Sequence, residues 1–477
     1  MASRVAWLKR VAWAFFGTLL ALLMLTVGGL LVVGIPQNAA GMAAKGICSA
    51  AFVAGRPTQN LMAQDVLPAS PVLSLISISI DEINHSVTAR FAGLVTRRAV
   101  LLRQRGCVLD LEPDPLAKPY TPAADLNRAW PQGEAAVPVV DWGTGVDAVK
   151  LKQVVDAAFI GAGDPLAANA RGLAVVQHGR MLVLRDAPGF AAGTALHGWS
   201  MTKTVTGMLT HKLAAEAALP LEAAVVDAFP AGREPTWVAD WRKDDRRSIK
   251  VSDLLYMRDG LATTEDYAPW GSVPHMLWGT PDAAAWAASH PAEAPAGTRW
   301  RYLSATANLL AAVARGRFAS DAEYWAYPRK ALFDPIGAKT AVLETDSAGN
   351  WVGSSYLWAS VGDWARLGQL MLRDGQWGEQ QVLPAGWLKR ASTQASAEGD
   401  GRGYGAMSWL FGNPQAGECK AQAGVPSDTV VMAGHWGQIV AVVPSRDAVV
   451  VRLGWTFKHG QFNECQFIAD VLSALPK

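Results

Sequence analysis

The sequence predicts a mixed α/β (α+β) fold with an antiparallel sheet flanked by helices. Two stretches have the pattern of β-hairpins: residues 172–186, with a turn at His178-Gly179, and residues 432–453, with a turn at 444–447. Between them, apolar residues after Ser200 recur at three- and four-residue spacings, which indicates a helix. Hairpins on both sides of a helical stretch are typical of an antiparallel sheet covered by helices.

The N-terminus carries an uncharged apolar stretch, residues 11–34, preceded by three basic residues within 1–10. As a helix its 24 residues would extend about 36 Å, enough to cross a hydrocarbon core of about 30 Å. We therefore expect a transmembrane helix or signal anchor over 11–34 behind a cytoplasmic segment 1–10. The chain is then expected to be a single-pass protein of a bacterial inner membrane, with its remaining residues in the periplasm. A cleaved signal peptide is the alternative, because 39–41 is a small-residue cleavage site.

All four cysteines follow the apolar stretch, and an even number in an exported chain indicates disulfides. Three pairings are possible. We favour Cys48–Cys107 with Cys419–Cys465, which keeps one bond within each end region. No C-x-x-C or clustered Cys/His spacing occurs, so no metal site is expected. The net charge is +2 with Lys and Arg dispersed, so nucleic acid is not an expected partner, and the sequence leaves the oligomeric state open.

Residues 35–144 are expected to form a β-rich region that ends in a proline-rich linker. Strand patterns cover 73–80, 85–91 and 99–111, and six prolines follow between Pro113 and Pro138. No motif in this region indicates chemistry. The catalytic domain is expected over residues 145–477.

Ser200 and Lys203 lie one turn apart at the start of the helix, on the same face. A helix N-terminus supplies unpaired N–H groups and favours negative charge, and a nearby amine can act as a base for a serine nucleophile. The alternative is that Ser200 only caps the helix and Lys203 is a solvated side chain.

Two later stretches also contain candidate functional residues. Tyr302 and Ser304 stand at the entrance to an apolar-periodic helix. Tyr302 could exchange a proton with Ser200 or a leaving group if a cation such as Lys203 held its phenol pKa below 10, and the alternative is an ordinary half-buried tyrosine. Near the C-terminus, His435 lies in a glycine-flanked strand, and Gly437 permits close approach of a ligand to the backbone.

In order, the three motifs S-x-x-K, Y-x-S and H-x-G resemble the serine β-lactamase and penicillin-recognising superfamily. The resemblance is greatest to its class C branch, with the family VIII esterases and 6-aminohexanoate-dimer hydrolases. It covers about 145–477 and implies a β-lactamase/transpeptidase-like fold with an additional all-helical subdomain. It also implies a serine hydrolase that needs no cofactor.

The resemblance implies a role for each matching residue. Ser200 would be the acylated nucleophile, Lys203 its base, and Tyr302 the proton shuttle to the leaving group. The N–H groups of Ser200 and Gln438 would form the oxyanion hole. The remaining expected contributors are the catalytic His435 and the substrate-binding residues Ser304, Tyr404, Trp436 and Gly437.

Departures from the lactamase pattern narrow the expected activity. His435 and Trp436 replace the lysine and threonine of the K-T-G motif, and Ser304 replaces an asparagine. A mostly neutral histidine attracts a β-lactam carboxylate weakly. We therefore expect hydrolysis of small esters or linear amides. The alternatives are a β-lactamase or D-Ala carboxypeptidase, and a slow-acylating penicillin-recognising sensor or scaffold. A Ser-His-Asp hydrolase is less favoured, because Gly198-Trp199-Ser200-Met201-Thr202 lacks the second glycine of G-x-S-x-G.

Overall fold

The fold is seen in a computed structural model of the chain. The structure describes residues 7–8, 11, 13, 15–19, 28–29, 32–143, 145–216, 218–396 and 399–477. Its strands are β1 Ile76–Asp81, β2 Ser86–Phe91, β3 Val95–Leu102, β4 Gly106–Leu109, β5 Ala170–Gln177, β6 Arg180–Asp186, β7 Leu196–His197, β8 Val342–Leu343, β9 Leu357–Ala359, β10 Gln376–Trp377, β11 Gln380–Gln381, β12 Val430–Gly434, β13 Gln438–Val443 and β14 Ala448–Gly454.

Helices cover much of the chain between the strands. They are α1 Ile35–Cys48, α2 Ala148–Ala158, α3 Met201–Ala215, α4 Thr236–Trp241, α5 Val251–Leu255, α6 Ala283–Ala288, α7 Ser304–Arg315, α8 Asp321–Pro328, α9 Val361–Leu372, α10 Trp387–Ser392 and α11 Glu464–Ser473, with a helical turn at Ser272–Pro274. This mixture agrees with the expected α/β class.

The central sheet has five antiparallel strands in the order β12-β13-β14-β5-β6. Its strands alternate between two buried faces, as the twofold period of a strand dictates. Val176 and Val440 face a core cluster that includes α3 and α9, whereas Val175 and Ile439 face a second cluster with α2 and α11. Because both faces are covered, the strands are continuously apolar rather than alternating with polar residues.

A separate four-stranded meander, β1-β2-β3-β4, is built from residues 76–109. The expected strand over 99–111 is therefore divided between β3 and β4, with Gln104 and Gly106 in the left-handed region at the turn (φ 62° and 67°). Helix α1 packs on this meander and carries the buried Lys45, whose Nζ lies 3.3 Å from a carboxylate oxygen of Glu344. That carboxylate also accepts from the Cys107 N–H at 2.7 Å, so it joins the meander to the rest of the molecule.

The transmembrane prediction needs correction. Within the part of the chain that the structure describes, no helix combines the length and apolar character needed to span a bilayer. The N-terminal transmembrane helix and the membrane as a partner are thus unsupported. Within the expected span 11–34, the residues not named above lie outside the described ones. The domain boundaries given above stay a prediction.

Candidate active site

Ser200 stands at the N-terminus of α3, and its side chain does not cap the helix. The preceding Trp199 adopts φ of 50°, an uncommon conformation for a non-glycine residue and one often found at functional sites. Gly434 allows the β12–β13 hairpin to pack tightly here, since a Cβ at this position would lie 2.2 Å from the Gly198 carbonyl oxygen. The hairpin is therefore held directly against the segment that presents Ser200.

Lys203 points its amine at the Ser200 hydroxyl. Lys203 Nζ donates to Ser200 Oγ at 2.8 Å, to Ser304 Oγ at 3.0 Å and to the Ser354 carbonyl oxygen at 3.1 Å. The side chain is 1% exposed, and this burial lowers its pKa to about 8, although Glu265 acts in the opposite direction. At pH 7, roughly a tenth of the Lys203 side chains are therefore in the free-base form.

A carboxylate that the sequence analysis did not single out fixes the other side of this network. Glu265 accepts from the Ser304 N–H at 2.6 Å and from Ser304 Oγ at 2.7 Å. It thus caps the start of α7, where unpaired N–H groups favour a negative charge. Since Ser304 also contacts Lys203, the chain of contacts runs from Glu265 through Ser304 to the amine.

Tyr302 lies over the amine with its ring rather than its hydroxyl. Lys203 Nζ is 4.7 Å from the Tyr302 ring centroid, a cation–π distance. The condition of a lowered phenol pKa is not met: burial raises the pKa of Tyr302, Glu265 adds to the rise, and a hydrogen bond with Ser200 opposes it. Tyr302 is therefore a neutral phenol at neutral pH and can donate its proton.

His435 stacks face to face on Tyr267, with ring centroids 4.4 Å apart and an interplanar angle of 10°. Burial lowers the pKa of His435 to about 4, and His459 and Lys203 act in the same direction. The imidazole is thus neutral near pH 7. Tyr267, like Glu265, lies in the irregular segment between α5 and α6 and was not foreseen from the sequence.

His435, Trp436 and Gly437 form the turn between β12 and β13, so the expectation that His435 lies within a strand is wrong. Trp436 and Gly437 are in the left-handed region (φ 63° and 80°). Beneath it, the buried Arg452 donates to the Gly437 carbonyl oxygen at 2.8 Å. Gln438 starts β13, and its Oε1 accepts from the Gly454 N–H at 2.9 Å. These contacts fix the turn; the oxyanion-hole role of the Ser200 and Gln438 N–H groups stays a prediction.

A cleft of about 270 Å³ opens above Ser200 and brings several of these groups together. Its lining residues include Ser200, Glu265, Tyr267, Tyr302, Trp409, Gly434, His435, Glu418 and Glu464. Not all predicted residues line it: Ser304 and Tyr404 are buried, Ser304 beside Lys203 and Tyr404 behind the rings of Tyr302 and Trp409. Trp436 lines a neighbouring cavity instead.

Both favoured disulfides are present, Cys48–Cys107 and Cys419–Cys465. The second ties together the two segments that carry Glu418 and Glu464, each adjacent to a bonded cysteine in the chain. It therefore holds two carboxylates at the cleft. Within the described ranges, no group of three or more His, Cys, Asp or Glu residues is arranged to bind a metal ion.

Comparisons with known proteins agree with this architecture. Among solved structures, a family VIII carboxylesterase is similar over 70% of this chain and 99% of its own, with a TM-score of 0.51 and 14% identity. A candidate 6-aminohexanoate-dimer hydrolase from Bacillus anthracis is similar over 69% of this chain and 83% of its own, with a TM-score of 0.50 and 17% identity. At these identities the likeness concerns the fold alone.

The family assignment comes from the sequence itself. No curated protein matches the chain significantly. The family model "Beta-lactamase" matches residues 155–463, well over half of the sequence, and this range includes the S-x-x-K, Y-x-S and H-x-G motifs. The chain is therefore a serine hydrolase that belongs to the β-lactamase family.

Proposed function

We propose that the chain is an exported hydrolase that cleaves small esters or linear amides through an acyl-enzyme on Ser200. The observation that carries this proposal is the 2.8 Å hydrogen bond between Lys203 Nζ and Ser200 Oγ, made by an amine whose pKa is lowered to about 8. An amine with a pKa near the working pH is an effective general base. The Ser200 oxygen makes no helix-capping hydrogen bond.

In the proposed acylation step, Ser200 Oγ bonds to the substrate carbonyl carbon while its proton passes to Lys203 Nζ. The bond from that carbon to the leaving oxygen or nitrogen then breaks, and the leaving atom takes the hydroxyl proton of Tyr302. Lys203 then gives up its proton to water in the cleft, and Tyr302 regains a proton from that water. Water, activated by the same amine, next attacks the acyl-enzyme, releasing the acid and restoring Ser200.

Charge at the cleft supports esters and linear amides over β-lactams. His435 occupies the place of the K-T-G lysine but is neutral near pH 7, and Glu418 and Glu464 line the same cleft. The neutral His435 does not attract the carboxylate that a β-lactam carries, and the two glutamates repel it. The two carboxylates would instead attract a positively charged group on the leaving portion of a linear amide.

The two disulfides support export, because such bonds persist in oxidising compartments. The periplasm is the compartment we propose.

The substrate preference can be measured directly. We expect kcat/KM for p-nitrophenyl butyrate to exceed that for nitrocefin by at least ~10²-fold, because a site without a partner for a buried anion rejects it strongly. Ser200→Ala provides the background for both substrates. Efficient nitrocefin turnover would favour the β-lactamase alternative, and fluorophosphonate labelling of Ser200 without turnover would favour the slow-acylating sensor.

The pH dependence should follow Lys203. We expect kcat/KM for p-nitrophenyl butyrate to rise from pH 6 and level off above an apparent pKa of about 8, since the free amine is the base. Glu265 raises the pKa of Lys203, so Glu265→Gln should move this apparent pKa downward. Rates are corrected with Ser200→Ala for spontaneous hydrolysis. A profile that is flat from pH 6 to 9, or an upward shift in Glu265→Gln, contradicts the assignment.

A further inference from the structure

A second cavity lies on the other side of the ring pair that borders the catalytic cleft. Tyr267 and His435 line both spaces, so their stacked rings form a shared wall. Trp199, the residue directly before Ser200, lines the second cavity as well. A group attached to the acyl carbon on Ser200 is therefore close to this wall.

The cavity is apolar and has a volume of about 170 Å³. For scale, an engineered apolar cavity of ~150 Å³ in another protein holds a benzene molecule. Its far side is built by α1 and by the segment before β1, including Ala39, Met42, Val72 and Leu73. None of these four residues lies within the family match, which begins at residue 155. The N-terminal region, in which no motif indicates chemistry, thus builds part of the surroundings of the active site.

Two buried polar atoms on the lining residues have no hydrogen-bond partner within the described ranges: Trp199 Nε1 and Asn38 Oδ1. Trp199 and Asn38 are each 2% exposed. An unpaired donor and acceptor that water cannot reach are costly in a folded protein. An alkyl chain would leave both atoms unpaired, so the assignment below depends on the position, volume and apolar lining of the cavity.

We propose that this cavity binds the acyl chain of the substrate, and that it selects apolar chains of about six carbons. The inference rests on the function proposed above, because it places the acyl carbon at Ser200. The chain passes beside the Tyr267–His435 wall and is held between Trp199 and α1. The N-terminal region is then a specificity element of the hydrolase.

Two variants change the cavity in opposite directions without touching the catalytic groups. Ala39→Phe fills it from α1, and Leu73→Ala enlarges it. Each buried methylene contributes roughly fourfold to binding. We expect wild type to prefer p-nitrophenyl hexanoate over the acetate by at least ~10-fold in kcat/KM. Ala39→Phe should reduce this ratio below about threefold by lowering hexanoate turnover more than acetate turnover, and Leu73→Ala should move the optimum to the octanoate.

Binding is measured separately from turnover in the Ser200→Ala background. Hexanamide should change the tryptophan fluorescence, because Trp199, Trp278 and Trp436 line the cavity, and adding Ala39→Phe should weaken this binding at least ~10-fold. If esters are hydrolysed but neither cavity variant changes the chain-length profile or hexanamide binding, the cavity proposal is overturned alone. If no ester is hydrolysed while hexanamide binding still depends on residue 39, the cavity proposal stands and the hydrolytic function fails. If Ala39→Phe does not fold, Leu73→Ala decides by the shift toward longer chains or its absence.

Discussion

Replacing Ser200 with alanine is expected to lower kcat/KM for p-nitrophenyl butyrate by at least ~10³-fold and to abolish labelling by a fluorophosphonate. The variant lacks the oxygen that Lys203 contacts at the cleft and on which the proposed acyl-enzyme forms. The fold should persist, because Ser200 does not cap α3 and the change removes a single oxygen. Steady-state kinetics and labelling, together with thermal unfolding, test these expectations.

Thr210→Val is a matched control for this experiment. Thr210 lies in the same helix, is fully buried, and donates its hydroxyl to the Thr206 carbonyl oxygen at 2.8 Å. Losing this hydroxyl should leave both labelling and turnover close to wild type, so a general sensitivity of α3 can be separated from loss of the nucleophile. Turnover that survives in Ser200→Ala would refute the serine assignment and the mechanism built on it.

Local patterns were sufficient to predict a hairpin of the central sheet and the helix that carries Lys203. The predicted hairpin over 172–186 corresponds to β5 and β6, and the helix predicted after Ser200 forms α3. Such patterns reflect burial, which repeats along a strand or helix and can therefore be recognised in the sequence. The apolar stripe of α3 was only part of its buried surface, however. Thr204 and Thr206 on other faces are also buried and donate to the carbonyl oxygens of Met407 and Gly353.

Contacts between distant segments could not be predicted in the same way. Glu265 caps α7 from 39 residues upstream of Ser304, in an irregular segment without a motif or period. Tyr267 reaches His435 only through the tertiary fold. The pKa of Tyr302 illustrates the same limit. The sequence suggested that a cation lies near Tyr302, and Lys203 does lie there, but the sequence did not reveal the burial that raises the phenol pKa.

The second large effect is expected for Lys203→Met, which keeps a side chain of similar length and removes the amine. We expect kcat/KM to fall by ~10²–10⁴-fold, the usual contribution of a general base. Lys212→Met is the matched control, because Lys212 lies in the same helix, 3.4 Å from Glu216 and away from the cleft-lining residues. Its activity should be close to wild type. Equal losses in the two variants would show that α3 merely tolerates substitution poorly.

The same variant should reveal a cost of the site to stability. Burial lowers the pKa of Lys203 from 10.5 to about 8 in the folded protein, so the charged amine destabilises the fold by about 3 kcal/mol at pH 7. Between these two pKa values, Lys203 is protonated in the unfolded chain and largely neutral in the folded protein. This cost to stability therefore decreases as the pH rises, to about 1 kcal/mol at pH 9.5. Lys203→Met removes the cost but also three hydrogen bonds of the amine. These two effects set the difference in stability between the variant and wild type at any one pH, but only the first depends on pH. The free energy of unfolding of Lys203→Met minus that of wild type should therefore decrease by about 2 kcal/mol from pH 7 to pH 9.5 in urea titrations. A difference independent of pH would mean that the amine is not held in a lowered-pKa state, and that Ser200 has another base.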